Sequence, residues 1–279
     1  MIARIGYALR DLVGLIQYWH RTRQARRQMQ ATVSRHAYGH RARQYFLLAE
    51  PSNCTPDDER PWAVYLHGGA WTFGTPEAFL PAAQPWLEAG YRVVLPSYRR
   101  PPRVGIGDIV ADCRAALAGV SELARATQRP LGRVQVAGIS AGGHLAAVLA
   151  LHPEWWAEAG WPGCPEKALL LAAPLDLQLL RPRFLFDRYS DNSPCGGPGP
   201  TDRTDWLLLH GDRDGFVDHE HSRRFAERLQ AAGVAVQLIT IPGGGHLDAG
   251  RWTYDARNPY RGLIDAFIRR GGPAPPGPG

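Results

Sequence analysis

Short apolar runs that alternate with helix-like segments constrain this chain more than any other feature. The runs lie at 63–66, 91–95, 134–137, 168–172, 206–209 and 234–241. An apolar run of four to eight residues without polar alternation is what a strand buried on both faces looks like. Between the runs, helical periodicity recurs at 109–123, 141–151, 221–229 and 263–268. Strand and helix in alternation predict an α/β class: a mostly parallel central sheet with helices on both faces. The stretch 44–48 is expected to add an antiparallel edge strand. A chain of 279 residues, 44% of them hydrophobic, is long enough for one such domain with a full core; its expected bounds are 36–271.

Charge is distributed unevenly. Residues 1–45 carry nine Arg and a single acid, Asp11, so this segment is +8 and the rest of a +6 chain is −2, which places the basicity in the N-terminal arm. Within the arm Ile2, Ile5, Leu9, Leu12, Ile16 and Trp19 recur at spacings of three and four, and Arg21, Arg23, Arg26 and Arg27 follow. That pattern predicts an N-terminal amphipathic helix over about 2–33 within an arm spanning 1–35. The favoured expectation is that the stripe packs on the body as a cap. Peripheral membrane contact and self-association through the stripe are the alternatives. The arm has no recognisable nucleic-acid reading motif, so no nucleic-acid partner is expected. Its apolar residues are broken by Arg4, Arg10 and Asp11, so neither a secretory signal nor a membrane span is read, and a cytoplasmic location, with membrane association left open, is the default expectation. The tail 272–279 is Pro and Gly throughout, apart from Ala274, and is expected to be disordered. Cys54, Cys113, Cys164 and Cys195 have no metal-ligand spacing, and free thiols are expected over a Cys164–Cys195 bridge. No metal or organic cofactor is expected.

The chemistry concentrates at the ends of the runs. Gly138-Ile139-Ser140-Ala141-Gly142 follows one run and precedes a helical segment, the context of a nucleophile elbow, where small residues let a tight turn close around an exposed serine. His67-Gly68-Gly69-Ala70-Trp71 follows an earlier run, where the amides of Gly68 and Gly69, with that of Ala141, are placed to stabilise an oxyanion. Trp71 and Ile139 flank these turns and are expected to contact substrate. His246, after Gly243-Gly244-Gly245, is the expected general base in preference to His67, His144, His210, His219 and His221. The acid is expected from 210–218: Asp214 first, Asp212 as runner-up, and Asp218 as a helix start. The same stretch lacks the Gly offset and the Glu of a calcium loop. Between 172 and 206 a Pro- and Gly-rich segment is expected to overhang the site with Leu180, Phe184, Leu185 and Phe186.

Taken in order, these motifs resemble the esterase and lipase branch of the α/β-hydrolases with an HGG oxyanion motif, which includes hormone-sensitive-lipase-like and arylformamidase-like enzymes. The resemblance covers about residues 38–270, including Ser97-Tyr98-Arg99 and Asp112. It implies the α/β-hydrolase fold, Ser140 as nucleophile, His246 as base, Asp214 as orienting acid, and Tyr98, Arg99 and Asp112 as supports of the oxyanion loop. Ala70 stands where the hormone-sensitive-lipase-like motif has a third Gly, and Ile139 where arylformamidase-like members often have His. The expected reaction is hydrolysis of small to medium acyl esters through an acyl-enzyme on Ser140. The rivals are hydrolysis of an aryl formamide and a non-catalytic binding protein on the same fold.

Overall fold

The computed structural model describes residues 2–55, 58–181, 192–200 and 203–270, with side chains from residue 5 onward. Phe184, Leu185 and Phe186, the side chain of Ile2 and the tail 272–279 lie outside the described residues. Eight strands form one sheet: β1 (Ala31–Ala37), β2 (Tyr45–Pro51), β3 (Trp62–Leu66), β4 (Arg92–Pro96), β5 (Val134–Ile139), β6 (Lys167–Leu171), β7 (Asp205–Gly211) and β8 (Val236–Ile241). Their order is β1-β2-β4-β3-β5-β6-β7-β8, with β1 and β2 antiparallel to their neighbours and all later pairs parallel. β3, β4, β5 and β6 are buried along their whole length, as their unbroken apolar runs require.

The helices are α1 (Ile2–Gln28), α2 (Pro76–Phe79), α3 (Gln84–Glu88), α4 (Ile106–Ala126), α5 (Ala141–Ala150), α6 (Pro153–Glu158), α7 (Glu220–Ala231) and α8 (Arg261–Arg269). They leave two apolar clusters, one on each face of the sheet. One gathers Val64, Val136, Leu145 and Phe225; the other gathers Tyr65, Ala137, Trp86 and Trp252. Alternate residues of one strand fall in opposite clusters, which follows from the two-residue period of a strand. This is the α/β-hydrolase architecture that the motifs imply.

Two expectations at the N-terminus are corrected. The helix ends at Gln28, and residues 31–37 pair with β2 as the edge strand, so the stretch expected at the edge lies one place inside it. β1 is polar and only part-buried, and so offers no apolar run from which a strand could be read. The second correction concerns the apolar stripe. Ile5, Leu9, Leu12, Val13 and Ile16 are 56 to 76% exposed, whereas Asp11, Tyr18 and Thr22 on the other side of α1 are buried. The helix does cap the body, but with its opposite face. Tyr18 packs edge-on against Trp19 and Tyr254, and at a tilt against Phe79. All four cysteines are free.

Candidate functional site

The loops that leave the C-terminal ends of β3, β5, β7 and β8 meet at one end of the sheet, where a crevice is expected in parallel α/β sheets. Ser140 stands between β5 and α5 with φ 55° and ψ −125°, a conformation that a non-glycine residue holds only when its surroundings enforce it. Here they do. The Ser140 amide donates to the Leu171 carbonyl (2.8 Å), and the turn is closed by glycine: a Cβ on Gly142 would lie 2.0 Å from the Leu66 carbonyl oxygen, and one on Gly138 would lie 2.3 Å from that of Gly142.

The turn after β3 lies against this elbow. The nearest side-chain neighbours of a Cβ on Gly68 would be Ile139 and the Cβ of Ser140, both at 3.4 Å. The turn is left-handed at Gly69 (φ 123°), Ala70 (φ 48°) and Trp71 (φ 59°). His67 braces it from behind. Burial lowers its pKa to about 3, so it is a neutral imidazole, and its Nδ1 lies 2.9 Å from the Gly68 carbonyl, a contact that only an Nδ1–H can make favourable. The Tyr98 ring stacks on that imidazole at 4.4 Å, and its hydroxyl donates to the His67 carbonyl (3.0 Å). Tyr98 therefore supports the loop directly. Arg99 and Asp112 form an ion pair (2.8 Å) that fixes the turn after β4, one step removed. Among the described residues, the amides of Gly68, Gly69 and Ala141 have no protein acceptor.

Asp214 is buried in the loop after β7. Its Oδ1 accepts from the amides of Phe216 and Val217, both at 2.8 Å, and its Oδ2 lies 2.7 Å from His246 Nδ1 and 3.1 Å from His210 Nε2. Burial by itself would raise the carboxyl pKa, but the two histidines outweigh it and hold Asp214 well below the usual carboxylate range. Conversely, burial opposes the His246 imidazolium, yet Asp214, with a smaller contribution from Asp11, raises the His246 pKa above its ordinary value. With Nδ1 committed to a carboxylate, Nε2 carries the free lone pair. Ser140 and His246 line one cavity, and among the described residues no hydrogen bond joins them; such bonds commonly tighten only in a substrate complex.

The runner-up acid does not reach the imidazole: Asp212 accepts from the Gly243 amide (2.7 Å). Asp218 opens α7, accepting from the Glu220 amide (3.0 Å). The rival histidines have other partners. His144 lies 2.7 Å from the Asn192 carbonyl, His219 bonds Thr240, and His221 accepts from the Asp176 amide.

Two residues of the site escaped the sequence reading. His210 faces two acceptors through Nε2, the Asp214 carboxylate and the Val217 carbonyl, so that nitrogen carries the proton; Nδ1 then accepts from Ser222 Oγ (2.7 Å). Asp11, on α1, accepts through Oδ2 from the Gly215 amide (2.8 Å) and from the His246 amide (3.2 Å). Arg10 beside it donates to the carbonyls of Gly243 (3.1 Å) and Arg213 (2.9 Å). The contact is close enough to demand glycine opposite: a Cβ on Gly215 would lie 2.2 Å from the Ala8 nitrogen, and one on Gly245 would lie 2.1 Å from Asp11 Oδ1. This explains why the polar face of α1 turns inward, since buried amide donors require an acceptor. The only signal in the sequence was Asp11 itself, the single acid of a basic arm.

The cavity holds about 530 Å³. Trp71, Ile139 and Leu180 line it together with Phe79, Val217 and Leu247, while Leu12, Leu15, Tyr18 and Trp19 of α1 close one side. Phe216 is 42% exposed at the rim, its ring 5.3 Å from that of His246, whereas Val217 is buried beside Asp214.

Comparison with known proteins points to the same fold. Residues 63–196 match the model of the α/β-hydrolase fold, and 185–267 match that of the prolyl oligopeptidase family. The chain is similar to the isoprenylcysteine α-carbonyl methylesterase of Arabidopsis thaliana (24% identical, covering 89% of this chain and 63% of that protein). It is also similar to esterase LipQ of Mycobacterium tuberculosis (27% identical, 79% and 58%). The chain thus spans about three-fifths of the length of these curated relatives. Among solved structures it resembles a thermophilic esterase of Thermogutta terrifontis, with 26% identity, a TM-score of 0.72, and coverage of 89% of this chain and 95% of that one. A form of the T. terrifontis esterase phosphorylated by paraoxon superposes with a TM-score of 0.71 at 25% identity, over 88% of this chain and 96% of that one.

Proposed function

We propose that this chain, which has the α/β-hydrolase fold, is a serine carboxylesterase whose nucleophile is Ser140. The observation that carries the reading is the relay from Asp214 through His246 Nδ1 at 2.7 Å, with Nε2 left free in the cavity that holds Ser140. In this reading Ser140 Oγ attacks the ester carbonyl carbon while His246 Nε2 takes its proton. The amides of Gly68, Gly69 and Ala141 receive the oxyanion, each such donor being worth about a hundredfold to a thousandfold in rate. Collapse of the tetrahedral intermediate expels the alcohol, protonated by His246, and leaves Ser140 acylated. Water, deprotonated by the same imidazole, then releases the carboxylic acid. Asp214 stays ionised throughout and stabilises the imidazolium.

The mainly apolar cavity of about 530 Å³ suits a small to medium acyl group. Forms of the T. terrifontis esterase bound to propionate and to butyrate support that size range. The test is steady-state hydrolysis of a p-nitrophenyl ester series of increasing acyl length, alongside an aryl formamide and a lactone. The expected result is highest kcat/KM on short and medium acyl chains, and none in Ser140→Ala. Faster turnover of the formamide would move the assignment to amide hydrolysis, and no turnover of any of them would leave a binding protein on this fold.

A further inference from the structure

α1 has two unlike faces. The inner one is fastened to the loops of Asp214 and His246 by Arg10 and Asp11 and packs through Tyr18 on Phe79 and Tyr254. The outer one carries Ile5, Leu9, Leu12, Val13 and Ile16, all more than half exposed. Advancing by about 100° per residue, the same outer face continues into Arg23 and Arg27, both exposed. The stripe ends at the mouth of the site: Leu12 lines the cavity, and Phe73 and Phe216, the other large exposed apolar groups at the rim, line it too. A contiguous apolar patch of this kind, bordered by charge, marks an interaction surface.

We propose that the outer face of α1 docks on an anionic lipid surface and that docking turns the mouth of the cavity toward the lipid. Charge selects this occupant. α1 carries six arginines and a single acid, Asp11, which is committed to the amides of Gly215 and His246. Pairing the stripe with that of a second copy would leave Arg23 and Arg27 of each copy with no acid on either stripe to compensate them, whereas an anionic surface compensates that charge. A groove of about 440 Å³ beside the cavity shares Trp19 with it and is lined by Arg23, Arg26 and Arg100 against one carboxylate, Glu77, which accepts from the Tyr45 hydroxyl; the excess of arginine offers an anionic headgroup a place next to the rim. Apolar stripe, adjoining arginines and a Trp at the boundary are the features of a helix lying in a membrane interface. Among the described residues no helix is long and apolar enough to cross a membrane.

The test is flotation of the full chain with phosphatidylcholine vesicles, with and without phosphatidylserine, at low and high salt. Binding is expected only with phosphatidylserine and is expected to weaken as salt rises. Replacing Arg23, Arg26 and Arg27 by Gln should weaken partitioning by about a hundredfold, since each arginine near such a surface contributes roughly a factor of five. Leu9→Glu with Ile16→Glu should abolish flotation while leaving turnover of a water-soluble ester unchanged, which also reports that the fold is intact. Flotation is read without substrate, so its result stands apart from the esterase reading. No flotation at low salt, or flotation unaffected by the Leu9 and Ile16 changes, overturns the proposal. Sedimentation showing a dimer that those changes dissociate assigns the face to a second copy and overturns it equally.

Discussion

Asp214 sits between two imidazoles and two amides, and each contact makes a distinct demand. Its neutral isostere, Asp214→Asn, keeps the shape but presents an amide to the Nδ1–H of His246, so kcat should fall by about three to four orders of magnitude. Asp212→Asn, which disturbs only a bond to the Gly243 amide, should change kcat by less than about threefold on the same account. Equal losses would contradict the relay. Because His246 must be neutral to act, kcat/KM should decline on the acid side with an apparent pKa above the ordinary imidazole value. Asp11 contributes to that elevation. Asp11→Asn preserves an acceptor for the amides of Gly215 and His246 but removes the charge, so the acid limb should move to lower pH with the plateau rate nearly retained. Asp11→Ala leaves the buried His246 amide and the part-buried Gly215 amide without this acceptor and should cost about 1–3 kcal/mol in stability for the first and less for the second. Linkage adds a check on stability itself. The raised His246 value contributes stability that is complete below the unfolded-state pKa and is lost as pH rises through the folded one. The depressed Asp214 value contributes stability present above its unfolded pKa and lost as pH falls through the folded one.

At the scale of elements, the strand-turn-helix from β5 to α5 is the most tightly determined part of the chain. Gly142→Ala must displace the Leu66 backbone, because its Cβ would sit 2.0 Å from that carbonyl oxygen; a loss of about 2–4 kcal/mol in unfolding free energy and a collapse of activity are expected. A denaturation curve indistinguishable from that of the parent would show the elbow to be looser than described. The elbow, the β3 turn and the loops after β7 and β8 were legible in the sequence because each needs particular residue types at particular spacings. The partner of His246 was legible as a ranking, Asp214 ahead of Asp212 with Asp218 set aside as a helix start, and not as a certainty, since a turn sequence does not say which carboxylate points inward. β1 was not legible at all: an edge strand exposed on one side is free to be polar, and its residues imitate the end of a helix. The orientation of α1 was misjudged for a related reason. Periodicity finds an apolar stripe but not what the stripe faces, and here the inner face was decided by amide donors on loops far away in the chain.

Over the whole molecule, the sheet presents four loops at one end, and α1 is laid across them, its inner face bonded to two of those loops and its outer face open. This arrangement ties the arm to the chemistry. Loss of α1 removes the acceptor for the Gly215 and His246 amides and one wall of the cavity, so truncation before residue 29 should lower turnover even of water-soluble esters, measurable beside a point variant confined to the outer face. The two cores on either side of the sheet were foreseeable from unbroken apolar runs, and so was the end at which the site would lie. The central claim is that Ser140 is the nucleophile held by this frame. It is tested most directly by treating the protein with an organophosphate such as paraoxon and locating the adduct by peptide mass spectrometry. The account predicts one phosphoryl group, on Ser140, formed in step with loss of esterase activity and missing in Ser140→Ala and, on the same time scale, in His246→Ala. An adduct on another residue accompanied by loss of activity, or esterase turnover persisting in Ser140→Ala, would contradict it.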